Sequence, residues 1–158
     1  MTPTPRPHGR VTRGTTNINR LRRVDRWMAH EPSIVAALAA VARPIVVDLG
    51  YGARSDTCVE MARRLRPVAP DLQMIGLEID PDRIVAPIDG VRFALGGFEL
   101  AGFRPQLVRA FNVLRQYDEH EVAPAWSQMI TRLAPGADRR RYLRRDRPSV
   151  RWVLLDAA

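Results

Sequence analysis

The chain contains no lysine, because all 25 of its basic residues are arginine. This bias is typical of a bacterial genome with a high G and C content and indicates little about function. The only cysteine, Cys58, excludes an internal disulfide bond and a cysteine-based metal cluster. No apolar run reaches the roughly 18 residues of a membrane helix, and the N-terminus has no signal-type apolar core. We therefore expect a cytoplasmic protein with no metal site and no membrane partner.

The length of 158 residues predicts a single domain with a substantial core. Residues 1–16 are rich in proline, threonine, glycine and arginine, which predicts a flexible basic arm. The domain itself should occupy residues 17–158. Its first helix should begin at a cap on Asn17 or Asn19 and continue to about residue 30. Its second should span residues 32–42, which are nearly all apolar and therefore buried.

Arginines are concentrated in the arm and the first helix. One interpretation is that they contact the phosphates of a nucleic acid. The other is a solvated helix face whose apolar stripe packs on the sheet, because no aromatic stacking platform accompanies the arginines. The candidate phosphate contacts are Arg13, Arg20, Arg22, Arg23 and Arg26.

A strand, a glycine turn and a helix then follow one another. Ile45–Val47 is the short, β-branched apolar run of a buried parallel strand, and Asp48 closes it. Gly50 and Gly52 allow a tight turn and leave room for a ligand beside the backbone. Apolar residues at helical spacing predict a helix from about residue 55 to residue 66.

A second strand, Met74–Leu77, ends in Glu78, so an acid stands at the end of each strand. This unit, with its two acids and its Gly-x-Gly turn, resembles the class I S-adenosylmethionine (SAM)-dependent methyltransferases. The resemblance implies that Asp48 and the glycine loop hold the methionine end of the cofactor. It also implies that Glu78 accepts hydrogen bonds from the ribose hydroxyls, and that SAM methylates an acceptor that the sequence does not identify.

The resemblance further implies an α/β fold: a Rossmann-like, open, mostly parallel sheet with helices on both faces and the strand order three-two-one-four-five. The chain would be truncated at its C-terminus relative to the usual seven strands. Later strands are predicted at Val91–Leu95 and Leu107–Phe111, and a helix at Glu119–Leu133. No residue stands out as a general base, so the catalytic residues stay unassigned. The expected cofactor-binding residues are Asp48, Gly50, Tyr51, Gly52, Glu78, Ile79, Phe98 and Asn112.

A dinucleotide site is the main alternative, because nicotinamide and flavin cofactors use a similar turn with a third glycine. Here that third position is Ser55. Asp48 also argues against a pyrophosphate, since its carboxylate would repel an anion at the N-terminus of the helix. The sulfonium and ammonium groups of SAM favour an acid there.

Two positions depart from the resemblance. Many members carry an acid in a Gly-Asp pair after the third strand, where it contacts adenine, whereas this chain has Gly97 followed by Phe98 and Glu99. Adenine recognition would then come from backbone groups, from Glu99, or from packing against Phe98. Asn112 follows the fourth strand without the proline motif of enzymes that methylate amino groups, so it lies near the reacting methyl or simply caps the strand.

The segment Asp138–Arg151 carries seven arginines where an apolar central strand is expected. Buried unpaired charges cost several kcal/mol each, so this segment cannot fill the interior of a sheet. We therefore expect the edge of the fourth strand to be unpaired or poorly covered, and residues 152–155 to be strand-like again. Three explanations stay open: a solvated basic tail, a second phosphate-binding patch, or a local frameshift, because one back-translation read one base forward begins Thr-Val-Val-Val. The alternative function is a non-catalytic, truncated protein of the same fold that binds nucleic acid through its arginine-rich segments.

Overall fold

A sheet with helices on both faces makes up most of the chain in the computed structural model, which describes residues 6–11, 17–111, 113–134, 141–143 and 151–155. Of residues 115, 141–143 and 151–155, only the backbone is described. Within the described parts, no helix has the length and apolar character needed to cross a membrane.

Four parallel strands form the centre of the sheet, in the order β3-β2-β1-β4. Every residue of β4 and all but the first of β1 are buried, as expected of strands covered on both faces. This order agrees with the first four positions of the predicted sheet and confirms the α/β fold. The strands are β1 Ile45–Leu49, β2 Gln73–Glu78, β3 Arg92–Leu95 and β4 Leu107–Phe111.

Helices cover both faces of this sheet. The first three helices share a hydrophobic cluster with Val46, whereas the fourth shares a separate cluster with Val47. Because successive residues of a strand point to opposite faces, α1 to α3 lie on one face and α4 on the other. The helices are α1 Arg22–Met28, α2 Pro32–Ala39, α3 Asp56–Leu65 and α4 Glu119–Arg132.

Helix α1 is shorter than the sequence predicts. It begins at Arg22, because Asn19 has a left-handed backbone with φ of 63° and residues 18–21 form turns instead of helix. The N–H of Asn19 donates to the carboxylate of Glu60 on α3, at 2.9 and 3.1 Å from its two oxygens. The buried face of α1 consists of Val24, Asp25 and Met28. This face therefore brings a carboxylate into the core.

Two further strands lie beyond β4: β5, Arg141–Leu143, and β6, Arg151–Leu155. β6 pairs antiparallel with the whole of β4, and β5 pairs antiparallel with β6 at the outer edge. Residues 152–155 are thus strand, as predicted. The expectations of a fifth strand directly beside β4 and of an unpaired β4 edge were wrong, because β6 takes that edge. Residues 138–140 and 144–150 of the arginine-rich segment lie outside the described residues.

Candidate functional site at the end of β1 and β2

The turn after β1 depends on two glycines with left-handed backbones. Gly50 has φ of 68° and Gly52 has φ of 87°, a region that a Cβ atom disfavours. The N–H of Gly50 donates to the carbonyl of Leu77 at 2.7 Å, which fastens the turn to β2. The chain can therefore turn tightly after β1 on its way to α3, with Gly50 partly exposed.

Glu78 anchors the same turn from the end of β2. Its side chain is fully buried. Oε2 of Glu78 accepts a hydrogen bond from the N–H of Gly52 at 3.0 Å, and Oε1 accepts one from the N–H of Ile79 at 2.9 Å. Arg83 lies 3.8 Å away and partly balances the charge. The acid that ends β2 thus lies directly against the glycine turn.

Asp48 is bound by Arg109, which stands beside it on β4. Nε of Arg109 donates to Oδ1 of Asp48 at 2.8 Å and Nη2 donates to Oδ2 at 2.6 Å, which makes a bidentate pair. Arg109 is fully buried and Asp48 is 3% exposed. The prediction that Asp48 holds the methionine end of a cofactor gains no support from this geometry, because the carboxylate is committed to an internal ion pair. Its charge is also balanced, so it no longer argues against an anionic pyrophosphate.

A second buried acid, Asp25 of α1, completes this cluster. Nη1 of Arg109 donates to Oδ1 of Asp25 at 2.5 Å, and Arg64 of α3 donates to Oδ2 at 3.0 Å. Nη2 of Arg109 also donates to the carbonyl of Thr57, in the first turn of α3, at 3.0 Å. The cluster therefore connects α1, α3, β1 and β4 next to the glycine turn.

Burial and charge act in opposite directions within this cluster. Burial raises the pKa of Asp25 above its ordinary value of 3.8, although the nearby Arg109 lowers it in part. For Arg109, burial alone would lower the pKa, but the facing carboxylates of Asp48 and Asp25 raise it above its ordinary value. The guanidinium therefore stays charged in the core.

The end of the sheet next to the glycine turn is covered by residues 6–11, which we call the strap. The N–H of His8 donates to Oε2 of Glu99 at 2.8 Å, and the carbonyl of His8 accepts from the N–H of Phe98 at 2.9 Å. Oε1 of Glu99 accepts from the N–H of Gly97 at 2.7 Å. A Cβ atom on Gly97 would overlap the carbonyl oxygen of His8, so only glycine allows this approach.

Arg10 fixes the other end of the strap to the segment before α4. Its N–H donates to the hydroxyl of Tyr117, and its guanidinium lies over the Tyr117 ring, 4.9 Å from the centroid. The guanidinium also pairs with Glu121 at 2.7 Å and donates to the carbonyl of Gln116 at 3.0 Å. Within the predicted arm of residues 1–16, the strap thus makes defined contacts with the end of the sheet and with the segment before α4. Residues 1–5 and 12–16 of that arm lie outside the described residues.

A small cavity remains between the strap and the glycine turn. Its free volume is about 10 Å³, close to the minimum that holds one water molecule. Its walls combine four of the expected cofactor-binding residues with the strap and Tyr117. Those four residues are Gly50, Glu78, Ile79 and Phe98.

The other expected cofactor-binding residues lie elsewhere. Gly52 belongs to the turn itself. Tyr51 and Asp48 face a second small cavity, of about 20 Å³, on the α1 side. The ring of Tyr51 packs edge-on against Phe93 with 5.1 Å between centroids, and burial raises its pKa. Asn112 lies outside the described residues.

Sequence reasoning missed three features next to this site: the Arg109 cluster, Tyr117 and the strap. A signal for the first was present, because Arg109 is the one charged residue in an otherwise apolar strand. Asp25 likewise stands four residues after Leu21 in the apolar stripe of α1. No comparable signal marks the strap.

The arginines of α1, and Arg20 just before it, lie on the outer surface of the protein. Arg20, Arg22, Arg23 and Arg26 are all exposed. Within the described residues, the last three form no ion pair with an acid. Arg13 lies outside the described residues. This surface has the exposure that either interpretation of the arginines requires.

No known protein-family profile matches the chain, and no curated protein matches its sequence. Function is therefore inferred from the geometry of the site and from the motif resemblance alone.

Proposed function

We propose that the chain is a SAM-dependent methyltransferase that binds its cofactor over the carboxyl ends of β1 and β2. The observation that carries the proposal is the contact between Glu78 and the glycine turn, with 3.0 Å between Oε2 and the N–H of Gly52. Ligands of open α/β sheets bind at the carboxyl ends of the strands, where the strand order reverses. In this sheet the reversal lies between β1 and β4, next to the same turn.

The residues fit the ribose of such a cofactor. Each oxygen of Glu78 accepts one backbone N–H, and a carboxylate oxygen has a second lone pair available. Glu78 can therefore accept hydroxyl donors without releasing the turn. Gly50 presents no side chain between the turn and the cavity, so a ligand can approach its backbone.

Asp48 has a different role in this proposal from the one that the motif implies. Because it is paired with Arg109, it holds β1 and the turn in place and does not contact the ammonium group of the cofactor. When bound, SAM supplies a methyl group on a positively charged sulfur. The chain contributes binding and alignment, which keep the acceptor, methyl carbon and sulfur in line.

The proposal is tested by calorimetric titration of the protein with S-adenosylhomocysteine. Glu78→Gln should weaken binding about ten- to a hundredfold, because hydrogen bonds to a charged acceptor are worth about 1.5–3 kcal/mol. Asp82→Asn is the matched control: it removes the charge of an exposed carboxylate close to the same strand end and should leave affinity unchanged.

Titration with NAD⁺ tests the dinucleotide alternative, because an acid at the end of β2 also suits the ribose of a dinucleotide. Binding of NAD⁺ without binding of S-adenosylhomocysteine would replace the methyltransferase proposal. Equal affinity of Glu78→Gln and the wild type for S-adenosylhomocysteine would remove Glu78 from the site. Melting temperatures of both variants show whether the fold is retained.

The exposed arginines of α1 favour a second candidate function, binding of nucleic acid. Each phosphate that an arginine neutralises steepens the salt dependence of the affinity, by about 0.9 in the slope of log K against log salt for double-stranded DNA. Replacing Arg22, Arg23 and Arg26 by glutamine should therefore lower the slope by up to about 2.7. A slope that does not change would leave these arginines as a solvated helix face.

A further inference from the structure

The strap lies where the proposed cofactor would place its base. It crosses the ends of β2 and β3 and narrows the cavity that Gly50 and Glu78 also line. The remaining free volume, about 10 Å³, has no room for a nucleoside. A ligand of that size can therefore enter only if the strap leaves.

The backbone of His8 offers the same hydrogen-bonding groups as an edge of adenine. Its N–H is a donor to the carboxylate of Glu99, at 2.8 Å, and its carbonyl is an acceptor from the N–H of Phe98, at 2.9 Å. Adenine likewise presents an amino donor beside a ring nitrogen acceptor. Glu99 is only 7% exposed. Its carboxylate and the N–H of Phe98 therefore already form a desolvated acceptor and donor pair that can recognise such an edge.

We propose that the strap is an internal competitor for the base-binding end of the site, with the backbone N–H and carbonyl of His8 occupying the positions of an adenine edge. This inference rests on the proposed function. Glu99 and the N–H of Phe98 are the groups that recognise the base once the strap has moved. The cofactor binds only molecules whose strap is released. Its apparent affinity therefore equals the intrinsic affinity multiplied by the fraction of molecules in that released state.

The contacts of Arg10 set how firmly the strap is held. They include the ion pair with Glu121 at 2.7 Å, in which the Arg10 side chain is 52% exposed and that of Glu121 is 30% exposed. Arg10 and Tyr117 line the cavity, whereas Glu121 and Gln116, the polar partners of the Arg10 guanidinium, do not. Weakening the ion pair with Glu121 should therefore favour release of the strap without removing Glu78, Glu99 or the N–H of Phe98.

Two variants of the full chain test the affinity side of this inference, with S-adenosylhomocysteine as the probe. His8→Pro removes the N–H that donates to Glu99, and we expect about tenfold tighter binding. Arg10→Ala should tighten binding about two- to fivefold, the range of an exposed ion pair. Val11→Pro, at an exposed position just after those contacts, and Arg63→Ala, an exposed arginine paired with Asp89, are the matched controls.

Hydrogen–deuterium exchange of the wild-type protein tests displacement directly. Saturating S-adenosylhomocysteine should speed exchange in peptides that cover the strap, because its amide contacts with Glu99 and Tyr117 are lost. Slower or unchanged exchange of the strap with bound ligand would overturn the inference. The same holds if His8→Pro binds the ligand more weakly, since the strap would then enclose the ligand instead of competing with it.

The outcomes also separate this inference from the proposed function. If wild type and all variants bind S-adenosylhomocysteine equally, the strap is no competitor but the cofactor assignment stands. If none of them binds it, the proposed function fails and the competition for that ligand fails with it.

Discussion

Replacing Arg109 by methionine should destabilise the protein more than any exposed arginine substitution. The change leaves Asp48 buried without its cation and Asp25 with Arg64 alone, although methionine retains much of the side-chain volume. Breaking a buried ion pair by removing one partner costs about 3–5 kcal/mol. Because about 1 kcal/mol shifts the melting temperature of a domain of this size by roughly 2–4 °C, we expect a loss of about 6–20 °C.

The loss should depend on pH, because Asp25 without Arg109 can reduce the cost of its buried charge by taking up a proton. The folded-state pKa of Asp25 is already raised above 3.8. An acid with a raised folded-state pKa contributes stability that is present below its unfolded pKa and is lost as the pH rises through its folded pKa. Removing Arg109 takes away a positive charge that lowers this pKa. The pH range in which Asp25 is protonated in the folded state therefore extends to higher pH. The difference in unfolding free energy between variant and wild type should thus be smaller at pH 5 than at pH 8.

Urea titrations of the wild type, Arg109→Met and Arg109→Lys at both pH values measure these differences. Lysine keeps the charge but not the bidentate geometry, so its loss should be intermediate. Arg92→Met on the exposed edge of β3 is the control; it loses one cation–π contact with Phe103 and should change stability by no more than about 1 kcal/mol. A loss below 1 kcal/mol for Arg109→Met, or a loss that does not depend on pH, would refute this account of the cluster.

Two glycine substitutions test close packing and backbone strain by thermal melts. A Cβ on Gly76 would lie 2.7 Å from the nearest atom of the Phe93 ring, so Gly76→Ala should cost about 1–3 kcal/mol, and adding Phe93→Leu should recover part of that loss. At Gly50, where φ is 68°, substitution by alanine should lower the free energy of unfolding by about 1–2 kcal/mol. Substitution by asparagine should lower it less, because asparagine adopts left-handed conformations more readily. Equal losses for the two variants would contradict the left-handed turn.

The central strands were predictable because their signals are local. β4 occupies the predicted residues, and β1 extends the predicted strand through Asp48 to Leu49. Runs of apolar, β-branched residues between turn-forming residues mark buried strands wherever such strands pair. The glycine turn was predictable for the same reason, since its two left-handed positions admit few residues other than glycine.

The parts that sequence reasoning missed depend on contacts between distant residues. Arg109 and Asp25 are 84 positions apart, and their charges are acceptable in the core only because the fold brings them together. His8 and Glu99 are 91 positions apart, and the strap has the proline, glycine and arginine content of a disordered arm. Composition predicts whether a segment can form a hydrophobic core of its own. It does not exclude that the segment docks onto the core formed by the rest of the chain.

The order of the last two strands follows from what the edge of β4 requires. The N–H of Ala134, just after α4, donates to the carbonyl of Pro105 at 3.1 Å, so the chain returns to the end of the sheet where β4 begins. From there β5 runs in the same direction as β4, as a crossover helix implies. The place next to β4 nevertheless belongs to β6, whose sequence is mostly apolar. Of the arginine-rich segment, the described residues 141–143 form the outer strand, and Arg151 begins β6 opposite the last residue of β4.

A proline substitution in each of these strands tests that order. Val153 lies in β6, which is flanked by β4 on one side and β5 on the other, and it pairs with Arg109 of β4. Val153→Pro removes a backbone N–H from this interior strand and should lower the free energy of unfolding by about 3 kcal/mol or more. Tyr142→Pro alters the outer strand of three residues, where proline is tolerated better, and should cost clearly less. Val153→Thr keeps the N–H and the branched side chain and controls for the lost valine. Because an unpaired β4 edge invites association, Val153→Pro should also form oligomers at high concentration in light scattering. A Tyr142→Pro loss equal to or larger than that of Val153→Pro would reverse the assigned order of the two strands.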